Sequence, residues 1–161
     1  MPVTTAAPAP LTDPTRSPSP VADHQLTVAL PYGLRTPQVA RQITARWLAA
    51  YVAPASRMCN VVLIVSELVT NAIRHTREPC TLKLTLHGSR LDVAVADHGE
   101  TLPETSSTPG EHGGFGLPLI EGLGGRITTV PALGGKTVHA TLTVTPFSGP
   151  HRAPPTTASV R

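Results

Sequence analysis

Glu67, Asn71 and His75 stand four residues apart, with Arg74 beside the last of them. On a helix each residue advances by about 100°, so residues four apart share one face. Such a face offers a carboxylate that can take a proton, an amide oxygen that can bind a hard cation, and two basic groups. Val61, Val65, Leu68, Val69 and Ala72 fall on the opposite arc. The pattern predicts a helix over about residues 56–75 that packs this aliphatic stripe on a sheet. Leu63 and Ile64 border the polar side and suggest a partly covered cleft wall. Read alone, the same pattern also fits an amphipathic helix with a solvated edge, so the motifs that follow it must decide.

Asp97 shares period-2 parity with Leu91, Val93 and Val95, which predicts its carboxylate on the apolar face of a strand, at the end where a loop begins. A carboxylate there either caps the turn or accepts a hydrogen bond from an exocyclic amine such as the N6 of adenine, with Gly99 supplying backbone freedom. Gly113-Gly114-Phe115-Gly116-Leu117-Pro118 sets glycines just before a short helix expected to begin near Leu117-Pro118. Free N–H groups and the positive dipole end suit phosphate oxygens there, although glycines also serve plain turns. Neither a GxxxxGK[ST] loop nor a strand–glycine–helix dinucleotide fingerprint is present. Gly134-Gly135-Lys136-Thr137 reads as a hairpin turn, after which Thr137 opens the last strand, its hydroxyl placed to support Asp97 or a ligand.

The elements that must hold these residues are legible from periodicity. A weakly alternating strand covers residues 25–30. Thr36 then looks like an N-cap with Pro37 at the first helical position, opening a helix to about residue 51 whose buried stripe would be Val39, Ile43, Trp47 and Leu48. After a break at Pro54 comes the helix of Glu67. Strict alternation over 81–87 and 91–97, with Gly88-Ser89 between, gives a hairpin. Residues 98–114 form a long polar loop, and residues 126–130 and 136–144 give two more strands. Amphipathic strands call for a sheet covered on one face. The expected fold is thus a two-layer α/β sandwich of the α+β kind, with a mixed, mostly antiparallel sheet.

The 161 residues suit one domain, expected over 24–147, between Pro/Ala/Thr-rich segments 1–23 and 148–161 that cannot bury enough apolar surface to order themselves. Aromatic residues make up only 3%, so the core must be aliphatic. Of the formal charge of +3, Arg16, Arg152 and Arg161 with Asp13 and Asp23 account for +1 in those segments, which leaves the core close to neutral at +2. With no basic run and no interleaved aromatics, direct nucleic-acid binding is not expected. Cys59 and Cys80 form no CxxC pair, and no stretch approaches the apolar length of a membrane span, so a cytoplasmic protein is expected. His75, Cys80, His98 and His112 lack metal-ligand spacing.

Taken in order, Glu67-Leu68-Val69-Thr70-Asn71-Ala72-Ile73-Arg74-His75, Asp97-His98-Gly99, Gly113-Gly114-Phe115-Gly116-Leu117 and Gly134-Gly135-Lys136-Thr137 resemble the gyrase/Hsp90/histidine kinase/MutL ATPase superfamily. Within it the chain is most similar to single-domain anti-sigma-factor serine kinases. The resemblance implies a Bergerat-type fold with ATP and Mg²⁺ as ligands. It further implies Asn71 as the Mg²⁺ ligand, with Arg74 and His75 beside it, and Asp97, Gly99 and Thr137 around adenine. Gly113, Gly114, Phe115, Gly116 and Leu117 would lie along the phosphates, and 98–114 would be a mobile ATP lid. Glu67 would be the general base for a partner's Ser or Thr hydroxyl. The partners implied are an anti-anti-sigma factor and a sigma factor, often with a homodimeric kinase. An ATP-gated binding module without transfer is the alternative. Two departures stand out: a common DxGxG pattern is cut to Asp97-His98-Gly99-Glu100-Thr101, and the lid holds no Arg or Lys between His98 and Gly114, where only His112 is basic.

Overall fold

The computed structural model describes residues 23–53, 57–99, 120–122 and 124–147. In chain order these form β1 (His24–Leu30), α1 (Thr36–Tyr51), α2 (Arg57–Thr76), β2 (Cys80–His87), β3 (Arg90–Asp97), β4 (Arg126–Ala132) and β5 (Gly135–Thr143). The five strands make one sheet in the order β1-β2-β3-β5-β4. The sheet is the mostly antiparallel one expected, and among the described residues every pairing is antiparallel. Residues 120–122 are helical, with Ile120 fully buried. The expected starting point of that helix, the glycines 113–116 and most of the expected lid lie outside the described residues.

Register explains the two layers. Leu26, Leu84, Val93, Ala140 and Ile127 form a row across all five strands, because each is the Cα partner of the next. Alternation puts this row, and those of Leu82, Val95 and Val138 and of Leu86, Leu91 and Leu142, on one face. These residues belong to the same core as Leu48, Val61, Ile64, Val65 and Val69 of the helices. The opposite face is polar: Asp92 there accepts hydrogen bonds from Thr141 Oγ1 at 3.0 Å and pairs with His139 Nδ1 at 3.0 Å.

Three expectations about the helices need correction. Helix α1 starts at Thr36 itself: Arg35 is the cap residue and makes no side-chain cap bond. The Thr36 hydroxyl instead donates to the Pro31 carbonyl at 2.6 Å, tying the helix start back to the end of β1. The buried stripe of α1 is Thr36, Ala40, Thr44, Trp47 and Leu48, whereas Val39 is 41% exposed. Small residues at 36, 40 and 44 allow close helix packing, so the stripe lies one position from where hydrophobicity alone puts it. On α2, Ile64 does not border the polar side. It is three residues after Val61 and four before Leu68, hence on the buried arc, and it is fully buried. Leu63 does reach the surface.

At the far end of α1, Tyr51 stacks on His24 with ring centroids 3.9 Å apart and meets Trp47 at 5.3 Å. They fasten α1 to the start of β1, and among the described residues Trp47 is the one aromatic side chain in an otherwise aliphatic core.

Candidate functional site

The end of β3 is where the sheet becomes chemical. Asp97, like Leu91, Val93 and Val95, faces inward, and it is 6% exposed. Its Oδ1 accepts the Gly99 backbone N–H at 2.8 Å, which is the turn-capping bond, and also a bond from Lys136 Nζ at 3.1 Å. Lys136 Nζ further donates to the Gly99 carbonyl at 3.4 Å. Among the described residues no hydrogen bond is made to Asp97 Oδ2.

Lys136 was not among the expected site residues, and Thr137 was. Register gives the reason. Lys136 is the Cα partner of Asp97, while Thr137 is the partner of Ala96. Neighbouring residues on a strand face opposite ways, so Thr137 lies on the polar outer face and its hydroxyl cannot support Asp97. Its neighbour does so as a cation: the pair is 8% and 2% exposed at its two side chains. Parity was the available signal. Leu142, Ala140 and Val138 alternate inward along β5, and Lys136 continues that series.

Two close approaches hold the corner in place. A Cβ on Gly135 would come within 2.0 Å of the Asp97 carbonyl oxygen, so only glycine lets β5 begin directly against the end of β3. A Cβ on Gly99 would meet Thr76 Cγ2 at 2.8 Å, which places the last turn of α2 against the Asp97-Gly99 turn. Helix α2 ends there through local bonds. The Thr76 hydroxyl donates to the Ala72 carbonyl at 2.9 Å and accepts from the Glu78 N–H at 3.1 Å, and Arg77 at φ 58° turns the chain away.

From that anchored end the polar face of α2 runs outward. At 1.5 Å per residue, Asn71 lies about 7.5 Å and Glu67 about 13.5 Å from Thr76 along the helix axis. Glu67 is half-buried, whereas Asn71, Arg74 and His75 are exposed, and Leu68, Val69 and Ala72 are buried behind them. Next to Glu67, Ser66 is buried and accepts a hydrogen bond from Arg41 Nη1 at 2.7 Å, which fixes α2 against α1. Among the described residues no three His, Cys, Asp or Glu side chains converge on a point.

Against this geometry, residues 31–142 match the family model described as a histidine kinase-like ATPase domain. The chain belongs to that ATPase family. Its superfamily, shared with gyrase, Hsp90 and MutL, has the fold seen here: an antiparallel sheet under helices. The RsbU and RsbW domains of Rv1364c from Mycobacterium tuberculosis have a similar structure, with a TM-score of 0.57 and 22% identity. The similarity covers 75% of this chain and 32% of that one, so this chain spans about a third of that protein's length. A blue-light activated histidine kinase from Erythrobacter litoralis EL346 gives a TM-score of 0.46 at 26% identity, over 57% of this chain and 32% of that one. The histidine kinase domain of the E. coli osmosensor EnvZ gives 0.44 at 16%, over 91% of this chain and all of that one. No curated protein sequence matches. Among the described residues no helix is long and apolar enough to cross a membrane.

Cys80, at the start of β2, lies in the same corner of this ATPase domain. Burial, and then the negative charge of Asp97, push its thiol up from 9.0 to about 11. The folded protein therefore keeps the proton where an unfolded thiol loses it. The stability Cys80 contributes is present below pH 9.0 and is lost as pH rises toward about 11. At about pH 8 iodoacetamide is expected to modify the exposed Cys59 and spare Cys80, giving one adduct by mass spectrometry in the native protein and two in urea. Two adducts without denaturant would contradict the buried, protonated thiol.

Proposed function

We propose that this histidine kinase-like ATPase domain is an ATP-dependent serine/threonine protein kinase of the anti-sigma-factor type, acting on a protein partner and thereby on transcription. One observation carries the reading: the turn that begins at the buried Asp97 abuts, through Gly99, the end of the helix whose accessible face bears Asn71 and then Glu67. A purine at Asp97 would leave its phosphates directed along α2. Asp97 Oδ2 would accept the adenine amine. The exposed Asn71 amide oxygen suits Mg²⁺, which favours hard oxygen ligands and, when bound with the nucleotide, would neutralise phosphate charge. Arg74 and His75 would add positive charge nearby, and the glycines 113, 114 and 116, with Phe115 and Leu117, would lie along the phosphates.

In transfer, Glu67 takes the proton of the partner's Ser or Thr hydroxyl as that oxygen bonds to the γ-phosphorus. The bond from the γ-phosphorus to the β,γ-bridging oxygen breaks and ADP leaves. The partner would be an anti-anti-sigma-like protein, with a sigma factor bound by the same domain, which could act as a homodimer in the cytoplasm. Residues 24–147 would suffice for this, with 1–23 and 148–161 as appendages. A lid without Arg or Lys between His98 and Gly114 supports a second reading, in which ATP gates partner binding without transfer.

Titration calorimetry tests the shared part of both readings. ATP is expected to bind far more tightly with Mg²⁺ than without it, and Asn71→Ala is expected to erase that difference, a loss of about 10- to 100-fold. A Mg²⁺ dependence that survives in Asn71→Ala would refute the assignment of the metal ligand. Labelled ATP then separates the readings: a stoichiometric phosphoprotein supports the kinase, and bound nucleotide without phosphoprotein supports the gated module.

A further inference from the structure

The ammonium of Lys136 is nearly out of reach of solvent, yet the proposed roles give it nothing to do. It carries three N–H donors, two of which go to Asp97 Oδ1 and the Gly99 carbonyl. The carboxylate is used in the same lopsided way, since Gly99 N–H and Lys136 both bind Oδ1. Among the described residues neither Oδ2 nor the third N–H of Nζ has a partner, which leaves the corner one acceptor and one donor. Burying two charges costs several kcal/mol per ion before pairing, so a neutral turn would hold this corner more cheaply. A ligand that uses both groups gives the charges a purpose.

We propose that Lys136 reads the nucleobase directly: its ammonium donates to the ring nitrogen N1 of a 6-aminopurine while Asp97 accepts from the neighbouring 6-amine. The inference rests on the nucleotide-site reading above and deepens it. Adenine's edge is a donor at position 6 beside an acceptor at position 1, complementary to the acceptor–donor pair of Asp97 and Lys136. A 6-oxopurine carries the two in the opposite order. In the same pose it would set its carbonyl against the carboxylate and its N1–H against the ammonium. A lone carboxylate would meet one mismatch and the pair meets two, which makes Lys136 a specificity residue. The flexible stem of lysine lets Nζ adjust toward the base without moving β5.

Changing the ligand atom by atom tests this in the intact chain, without relying on a variant that must fold. Affinities for ATP, 1-deaza-ATP, 7-deaza-ATP and ITP are measured by titration calorimetry. A hydrogen bond to a charged group contributes about 1.5–3 kcal/mol, so 1-deaza-ATP is expected to bind roughly 10- to 100-fold more weakly than ATP. 7-Deaza-ATP should match ATP, and ITP should be the weakest of the four. In Lys136→Met, which keeps the length of the stem and donates no hydrogen bond, the gap between ATP and 1-deaza-ATP should close to within about twofold, and ITP should recover relative to ATP. Equal binding of ATP and 1-deaza-ATP by the natural protein overturns the proposal and leaves the nucleotide site standing. A loss seen with 7-deaza-ATP instead, or a 1-deaza penalty that persists in Lys136→Met, overturns it as well. Absence of ATP binding by the natural protein overturns both readings.

Discussion

Lys136→Met is expected to destabilise the fold by about 3–5 kcal/mol, because removing one partner of a buried ion pair strands the other charge. The Asp97 side chain is 2% exposed, so water cannot replace the ammonium. Stabilities of small domains are commonly about 5–15 kcal/mol, so the loss should appear as a large drop in the urea midpoint at unchanged slope. Methionine has nearly the volume of the lysine stem, which confines the change to the lost charge and its hydrogen bonds. The double variant Asp97→Leu/Lys136→Met separates this cause from a packing defect. With both charges gone, an apolar pair is expected to restore most of the stability while nucleotide binding is lost. A single variant within about 1 kcal/mol of the natural protein would mean that the pair is hydrated in solution.

The same pair shows what the sequence made legible and where legibility ended. Asp97 could be placed on the buried face because Leu91, Val93 and Val95 share its parity, and the structure puts it there. Lys136 obeys the same rule through Val138, Ala140 and Leu142, but a lysine reads by type as a solvent residue, and the turn glycines before it leave the start of the strand uncertain by one position. One position is enough, since it reverses every side chain on a strand and exchanges Lys136 for Thr137. Helix α1 has the same cause of error. Thr36 and Thr44 are polar by type and buried in fact, so a stripe drawn from hydrophobic residues alone reaches Val39, which is half-exposed, and misses Ala40. By contrast α2 was readable almost entirely, because five aliphatic residues at helical spacing leave one orientation. The contact between Thr76 and Gly99 could not be read at all. It joins residues 23 apart in sequence, and it depends on Gly135 admitting β5 against the end of β3.

The position of α2 that this contact fixes bears directly on Glu67. Glu67→Gln is expected to lower phosphoryl transfer to a partner Ser or Thr by about 100- to 10,000-fold, the usual contribution of a general base. Glutamine has the size of glutamate and can still hold a hydroxyl by a hydrogen bond, but it cannot take the proton. ATP affinity should therefore remain unchanged, because Glu67 lies one helical turn beyond Asn71 and farther from the Asp97 corner. The split between transfer and binding is what distinguishes a base from a structural residue. Half-burial at Glu67 and the Arg41 bond to the adjacent Ser66 define the competing role, in which the carboxylate only steadies the α1–α2 contact. In that case Glu67→Gln would shift the urea midpoint and leave single-turnover transfer, measured with saturating ATP and partner, close to that of the natural protein. Transfer that falls while the midpoint and ATP affinity hold would assign the proton to Glu67, and the lid would then need no lysine or arginine for the reaction to proceed.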